Sequence, residues 1–150
     1  MELWVEKYRP TTLENYVGNE VIKSKIEDYL KQGSIQNLLL HGVAGTGKTT
    51  LAKLLVKNID CDFLYINASD ERGIDTIREK IQPFALSMGF NDVKIVILDE
   101  ADYLTPQAQA TLRHTIEACS ATTRFILTCN YLERIISPLQ SRCQTFEITP

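Results

Sequence analysis

Three glycines, three threonines and Lys48 stand close together in LLLHGVAGTGKTTLAKLL, residues 38–55. Gly42, Gly47, Lys48 and Thr49 match G-x-x-x-x-G-K-[ST], a pattern in which backbone N–H groups surround phosphate oxygens. There the lysine reaches the β- and γ-phosphates of ATP or ADP, and the threonine hydroxyl ligates Mg²⁺. The other candidate nucleotide contacts in this stretch are Val43, Ala44, Gly45, Thr46 and Thr50. The alternative interpretation is a glycine-rich turn without a ligand.

A second candidate group is acidic and closes the apolar run KIVIL. Asp99 and Glu100 follow this run, so a strand would deliver both carboxylates to its carboxyl end, where ligands bind in parallel sheets. Asp99 suits the coordination sphere of Mg²⁺, and Glu100 suits the polarisation of a water that attacks the γ-phosphate. A solvated acidic turn is the alternative, and the upstream glycine-rich loop argues against it.

A third candidate is Asn130, which follows the apolar run RFILTC. At the end of a neighbouring strand it would hydrogen-bond the γ-phosphate or the attacking water. An asparagine after a strand is also a common turn residue. Its interpretation therefore depends on the first two groups.

The elements that must position these residues alternate between strand and helix. A helix is predicted from Asn19 to Gly33, and a kink or break is predicted at Pro83, because proline interrupts helical hydrogen bonding. Strands alternating with helices predict an α/β doubly wound parallel sheet of five strands with helices on both faces. The predicted strands are Leu38–His41, Phe63–Asn67, Lys94–Asp99, Arg124–Thr128 and Thr145–Ile148, and the predicted later helices are Lys48–Asn58, Ile74–Ser87 and Pro106–Ala118.

Length and composition limit the number of domains, the location of the protein and its possible ligands. A chain of 150 residues corresponds to about one domain. No apolar run approaches the roughly 20 residues of a membrane span, and the first ten residues lack a secretory segment, which predicts a soluble intracellular protein without a membrane partner. The net charge of −3 disfavours strong independent binding to nucleic acid. The four cysteines lack the spacing of a zinc site.

Six motifs together resemble one family. WVEKYRP, GTGKTT, NASDERGID, LDEAD, ILTCN and PLQSRC are similar to the small subunits of replication factor C, the AAA+ clamp loaders of eukaryotes and archaea, with relatives in large DNA phages. The resemblance covers almost the whole chain. It implies an ATPase domain over residues 1–150 that works in a five-membered ring of clamp-loader subunits. Such rings use ATP to place a sliding clamp on primer–template DNA.

The resemblance also assigns roles to individual residues. Val5, Arg9 and Val17 match positions that line the adenine and ribose, and Arg142 matches the arginine finger that reaches the ATP of a neighbouring subunit. Considered without the resemblance, Arg142 would be a surface arginine. Family members also carry a helical lid and a collar, which these 150 residues do not include, so a fragment is expected. The alternatives are another AAA+ motor, such as a branch-migration helicase or an unfoldase, and a nucleotide-binding subunit without turnover.

DNA contact rests on two arginines. By the i, i+4 spacing of a helix, Gln109, Arg113 and Glu117 are expected to share one face, which is either a solvated charged face or a DNA contact. In the family, the helices that hold Arg78 and Arg113 line the inside of the spiral. The resemblance therefore implies that these two arginines touch the DNA backbone.

Overall fold

In the computed structural model, the described residues are 36–45, 47–57, 59, 61–71, 73–87 and 93–148, together with Ser24 and Asp28. Five strands are joined in parallel pairs in the order β2-β3-β4-β1-β5. The strands are β1 (Leu38–His41), β2 (Asp62–Asn67), β3 (Lys94–Asp99), β4 (Thr123–Cys129) and β5 (Gln144–Glu147). All five predicted strands are confirmed, with ends that differ by a residue at three of them.

Helices cover both faces of the sheet, which confirms the predicted fold class. Helix α1 (Lys48–Lys57) packs against alternate residues of the central strands, including Leu38, Leu40 and Ile97. Helices α2 (residues 74–86) and α3 (Pro106–Ala118) pack against the other alternate set of strand residues on the opposite face. Strand β3 is buried along its whole length, as expected for a strand covered on both sides.

Helix α2 consists of three consecutive pieces, Ile74–Thr76, Ile77–Ile81 and Gln82–Leu86. The middle piece is a π-helical turn, in which the Gln82 N–H donates to the Ile77 carbonyl. Pro83 follows directly, and in a regular α-helix its ring would clash with a carbonyl one turn earlier. The predicted interruption near Pro83 therefore takes the form of a π-helical turn, since the chain stays helical but the regular α-helical hydrogen bonding changes just before the proline.

Helix α3 begins and ends where the sequence predicts. The Thr105 hydroxyl accepts a hydrogen bond from the Ala108 N–H at 3.1 Å, and Pro106 occupies the first turn, where a missing N–H costs nothing. After β4 the chain forms a 3₁₀ turn (Leu132–Arg134) and the short helix α4 (Ser137–Gln140), then passes to β5. This connection carries Arg142.

The predicted helix from Asn19 to Gly33 lies almost entirely outside the described residues. Within the part of the chain that the structure describes, no helix combines the length and the apolarity that crossing a membrane requires.

Candidate nucleotide-binding site

The loop between β1 and α1 has the backbone shape that its glycines permit. Gly45 and Gly47 adopt φ of 84° and 89°, a left-handed conformation that residues with a Cβ rarely take. A Cβ at Gly45 would meet no atom within 4 Å, so its surface is open. The Gly42 N–H donates to the Cys129 carbonyl at 3.2 Å, which joins the start of the loop to the end of β4.

Lys48 stands at the first position of α1 and points back into this loop. Its Nζ donates to the carbonyl oxygens of Gly42 and Val43, at 2.8 and 2.9 Å. Burial lowers the pKa of Lys48, against the opposing effect of negative charges that include Asp99 and Asp102. The ammonium group is therefore held inside the loop, next to the space that the glycines leave open.

Thr49 and Asp99 are in direct contact although they are far apart in sequence. Thr49 Oγ1 is 2.8 Å from Asp99 Oδ1 and 3.0 Å from Oδ2. A hydroxyl and a carboxylate at the N-terminus of a helix form the set of hard oxygen ligands that Mg²⁺ prefers. These two residues therefore fit the metal that the sequence predicts.

Two further hydroxyl groups hold the same carboxylate. Thr128, at the end of β4, donates to Asp99 Oδ1, and Tyr65 on β2 donates to Oδ2 at 2.7 Å. Sequence reasoning missed both residues. For Tyr65 the relevant signal is strand alternation. In the observed register Asn67 pairs with Asp99, so Tyr65, two residues before Asn67, lies on the same face of the sheet as Asp99.

Glu100 has an unusual backbone conformation. Among the residues that the structure describes, it is the only non-glycine residue with positive φ, at φ 55° and ψ 47°. Its N–H donates to Thr128 Oγ1 at 3.0 Å. A left-handed residue of this type costs about 1–3 kcal/mol and persists only where its surroundings impose it. Thr128 thus contacts both acidic residues, through the side chain of Asp99 and the backbone of Glu100.

Asn130 is positioned by a residue that the sequence analysis did not select. Asp102 is buried, and its Oδ2 accepts hydrogen bonds from the N–H groups of Asn130 and Tyr131, at 3.2 and 3.1 Å. Its other oxygen, Oδ1, is buried and makes no hydrogen bond. Asp102 therefore connects the turn after β3 to the end of β4.

These groups surround one cavity of about 360 Å³ at the carboxyl ends of β1, β3 and β4. The structure brings together most of the predicted nucleotide-site residues here, and adds Thr128. The residues that line the cavity are Ala44, Gly45, Gly47, Lys48, Thr49, Thr50, Asp99, Glu100, Thr128 and Asn130. Val5, Arg9, Val17 and Thr46 lie outside the described residues.

Arg142 lies at the opposite end of the sheet. The Gln144 N–H donates to the Asn37 carbonyl at 2.7 Å, and Asn37 Nδ2 contacts the Arg142 carbonyl at 3.4 Å. Asn37 precedes β1 whereas Gly42 follows it, and at about 3.3 Å per residue the two are roughly 16 Å apart. The Arg142 side chain binds Glu117 of α3, with Nε 2.5 Å from Oε1. The structure therefore does not bring Arg142 to the cavity of its own chain.

The predicted charged face of α3 needs one correction. Arg113 and Glu117 form an i, i+4 pair at 3.2 Å, but Gln109 is buried. Its amide donates to the Leu104 and Arg134 carbonyls and accepts from the Ile136 N–H. Helical spacing alone could not reveal that the connection carrying Arg142 covers this end of the face.

The two arginines predicted to contact DNA lie on α2 and α3, the helices that cover the same face of the sheet. Arg78 is exposed on α2, and Arg113 lies on α3 with its guanidinium on Glu117. The two helices pack side by side, with Gln82 Nε2 3.1 Å from Thr115 Oγ1.

Comparison with known proteins places this site in a family. Residues 38–150 match the family model for the ATPase family associated with various cellular activities (AAA). The chain therefore belongs to the AAA family, whose P-loop fold is a nucleotide-binding fold.

The most informative relatives are replication factor C small subunits. The protein of Natronomonas pharaonis is 49% identical over 99% of this chain, and that of Archaeoglobus fulgidus is 47% identical over 99%. The chain spans about half the length of these relatives, 48% and 49% respectively.

Solved structures give the same fold. The Holliday junction branch migration motor RuvB of Thermotoga maritima superposes with a TM-score of 0.77 and 22% identity, over 93% of this chain and 48% of that one. At this identity the likeness concerns the fold alone.

Proposed function

We propose that this chain is the ATP-binding and ATP-hydrolysing domain of a sliding-clamp loader subunit that acts in DNA replication. The observation that carries the proposal is the contact of Thr49 with Asp99 beside Lys48, in a chain 49% identical to a replication factor C small subunit. The full-length protein would be an intracellular subunit of a five-membered ring. Its partners would be other loader subunits, a sliding clamp and primer–template DNA.

Each residue of the cavity has a distinct task in this proposal. Lys48 exchanges its two carbonyl partners for the β- and γ-phosphates of ATP. Thr49 and Asp99 would hold Mg²⁺, which when bound neutralises charge on the phosphate oxygens. The loop N–H groups and the amino end of α1 add positive potential beside the same phosphates.

Two residues orient the reacting water. Glu100 polarises the water for attack on the γ-phosphate, and its fixed backbone limits where the carboxylate can reach. Asn130 hydrogen-bonds the water or the γ-phosphate, and Asp102 holds the Asn130 backbone in place. In this arrangement, hydrolysis depends on positioning more than on covalent chemistry.

Arg142 completes a site on a neighbouring subunit. Its own chain keeps it at the far end of β1, and a planar, permanently charged guanidinium stabilises charge on a transferring phosphoryl group. The isolated domain would therefore bind nucleotide but hydrolyse it slowly.

We also propose that Arg78 and Arg113 contact DNA. Both would meet phosphates, which position a duplex without reading its sequence. Replacing either by alanine in the assembled protein should weaken primed-DNA binding equally across sequences, and should lower the slope of log affinity against log salt by about one. A change in sequence preference would contradict this role.

Lys48→Ala, compared with Lys57→Ala on the exposed end of the same helix, tests the nucleotide site. Calorimetry with Mg²⁺ and a non-hydrolysable ATP analogue should show a loss of affinity of at least roughly 100-fold for Lys48→Ala, because a hydrogen bond to a charged group contributes about 1.5–3 kcal/mol and the two to the β- and γ-phosphates are lost. Lys57→Ala should bind as the wild type does. Equal affinities for all three proteins would contradict the assignment.

The branch-migration motor is the alternative that the sequence analysis left open, but the identity of this chain to RuvB, 22%, is far below its identity to the clamp-loader relative, 49%. ATPase measurements on the full-length protein separate the two. Stimulation by a sliding clamp with primed DNA supports the loader, whereas stimulation by a four-way junction alone supports the motor.

A further inference from the structure

The Asp99 carboxylate receives one contact that the phosphate-binding pattern does not account for. Thr49 belongs to that pattern, and Thr128 follows Leu127, the register partner of Leu98 on the next strand. Tyr65 comes from β2, the edge strand, and its hydroxyl donates to Asp99 Oδ2 at 2.7 Å. It is a third hydroxyl on one carboxylate, and it reaches the site from outside the cavity lining.

The Tyr65 ring is held in a defined place. Lys53 Nζ of α1 lies 4.8 Å from the ring centroid, a distance at which a cation is attracted to the ring face. In the sheet register Tyr65 pairs with Ile97, two residues before Asp99. The ring therefore lies between α1 and the sheet edge with its hydroxyl directed at the carboxylate.

The number of lone pairs shows what this hydroxyl does. A carboxylate offers about four lone-pair positions. Thr49, Thr128 and Tyr65 each have one proton to donate, so the three hydroxyls occupy three positions and leave one. The remaining lone pair lies on the side of Thr49, since Thr49 is within reach of both oxygens but can bond only one at a time.

We propose that Tyr65 is a positioning residue for the metal-binding carboxylate, because it fixes the rotation of Asp99 so that the free lone pair faces Thr49 and the metal. The terminal torsion of an aspartate is otherwise broad. Thr128 bonds Oδ1 and Thr49 reaches either oxygen, so Tyr65 is the hydroxyl that fixes Oδ2. This inference rests on the proposed nucleotide site. It extends the metal site to a residue of the edge strand.

Tyr65→Phe removes the hydroxyl and keeps the ring over Lys53. The probe is a fluorescent ADP analogue, titrated with MgCl₂ and separately measured in EDTA. The Mg²⁺ concentration at half-maximal binding should rise roughly 10-fold or more, because outer-shell partners of metal ligands typically contribute 10–100-fold in metal affinity. Binding in EDTA should stay within about 2-fold, since no metal is then held.

Tyr131→Phe is the matched control. Tyr131 is an exposed tyrosine next to Asn130, and the Tyr131 ring also lies beside a cation, Arg134. It should leave the Mg²⁺ dependence unchanged. In an Asp99→Asn background, Tyr65→Phe should have no further effect on the Mg²⁺ midpoint, because the carboxylate that it positions is gone.

Three results would overturn the inference. They are an unchanged Mg²⁺ midpoint, a tighter one, or an equal loss of affinity with and without Mg²⁺, which would assign Tyr65 a general structural role. A wild-type protein that fails to bind the nucleotide analogue would contradict the proposed nucleotide site instead.

Discussion

Asp99 and Arg142 are the two charged groups on which the proposed chemistry depends, and the protein holds them in opposite ways. Asp99 is buried and receives hydrogen bonds from hydroxyls on α1, β2 and β4. Arg142 is exposed and is held by one exposed carboxylate, Glu117. A buried charge needs its hydrogen-bond partners, because leaving it unpaired costs folding free energy. In an exposed ion pair, water can take the place of either partner at little cost in free energy.

This difference matches the two proposed roles. Asp99 acts within its own chain, so hydrogen bonds that form when the chain folds can hold its carboxylate in the position that it needs. Arg142 acts on a neighbouring chain, so it must exchange its partner when subunits assemble. The four predictions below test this comparison, from the largest expected effect to the smallest.

Arg142→Ala should lower kcat of the assembled protein by roughly 10³–10⁵, the contribution of an arginine finger in nucleotide hydrolases. It should leave both nucleotide affinity and the slow hydrolysis of the isolated domain unchanged. Mixing Arg142→Ala with Lys48→Ala subunits should restore part of the activity, because each supplies what the other lacks. Arg134→Ala is the control. If the mixture stays as inactive as the separate variants, action between subunits is contradicted.

Glu100→Gln should lower kcat by roughly 10²–10⁴, the usual contribution of a residue that moves or polarises a proton. ATP affinity should remain within about 2-fold, because the phosphate loop and its lysine are untouched. Steady-state hydrolysis and equilibrium binding, measured on the same preparation with Glu133→Gln as the exposed control, provide the check. Wild-type turnover would remove Glu100 from this role, and lost binding would indicate a metal-ligand role.

Thr128→Val should lower the free energy of unfolding by about 1–3 kcal/mol, since at nearly constant volume it removes one of the three hydroxyl donors to the buried Asp99 and leaves the Glu100 N–H without its hydroxyl acceptor. Urea unfolding without nucleotide measures the change. Thr123→Val is the matched control: Thr123 is equally buried on β4, but the partner of its hydroxyl is the neutral hydroxyl of Thr122. Equal losses for the two variants would show that burial alone explains the effect.

The sequence predicted the parts of the site that are local in the chain. Glycine spacing gave the phosphate loop, and apolar runs gave strands that end in Asp99 and Asn130. The sheet brings these groups to one edge because parallel strands share their carboxyl ends. A local pattern needs no knowledge of strand order to be recognised.

The contacts of Tyr65, Thr128 and Asp102 could not be predicted in the same way. Each depends on which strands are neighbours and on their register, and in the observed order β1 lies between β4 and β5, far from its position along the chain. The burial of Gln109 has the same cause, because the segment that covers it follows β4. These contacts, and the burial of Gln109, depend on which distant segments of the chain become neighbours and not on residue type alone.

Glu117→Gln should have the smallest effect. Hydrogen bonding from Arg142 lowers the pKa of Glu117, so the ion pair contributes stability above the unfolded-state pKa and loses it as the pH falls through the folded-state value. Thermal midpoints of variant and wild type should therefore differ slightly at pH 7 in low salt and converge as the pH falls through the lowered pKa of Glu117. They should also coincide at pH 7 in about 1 M NaCl, where the screening length is about 3 Å. A large loss that persists in high salt would show that Arg142 is held as firmly as Asp99, and the contrast between the two sites would fail.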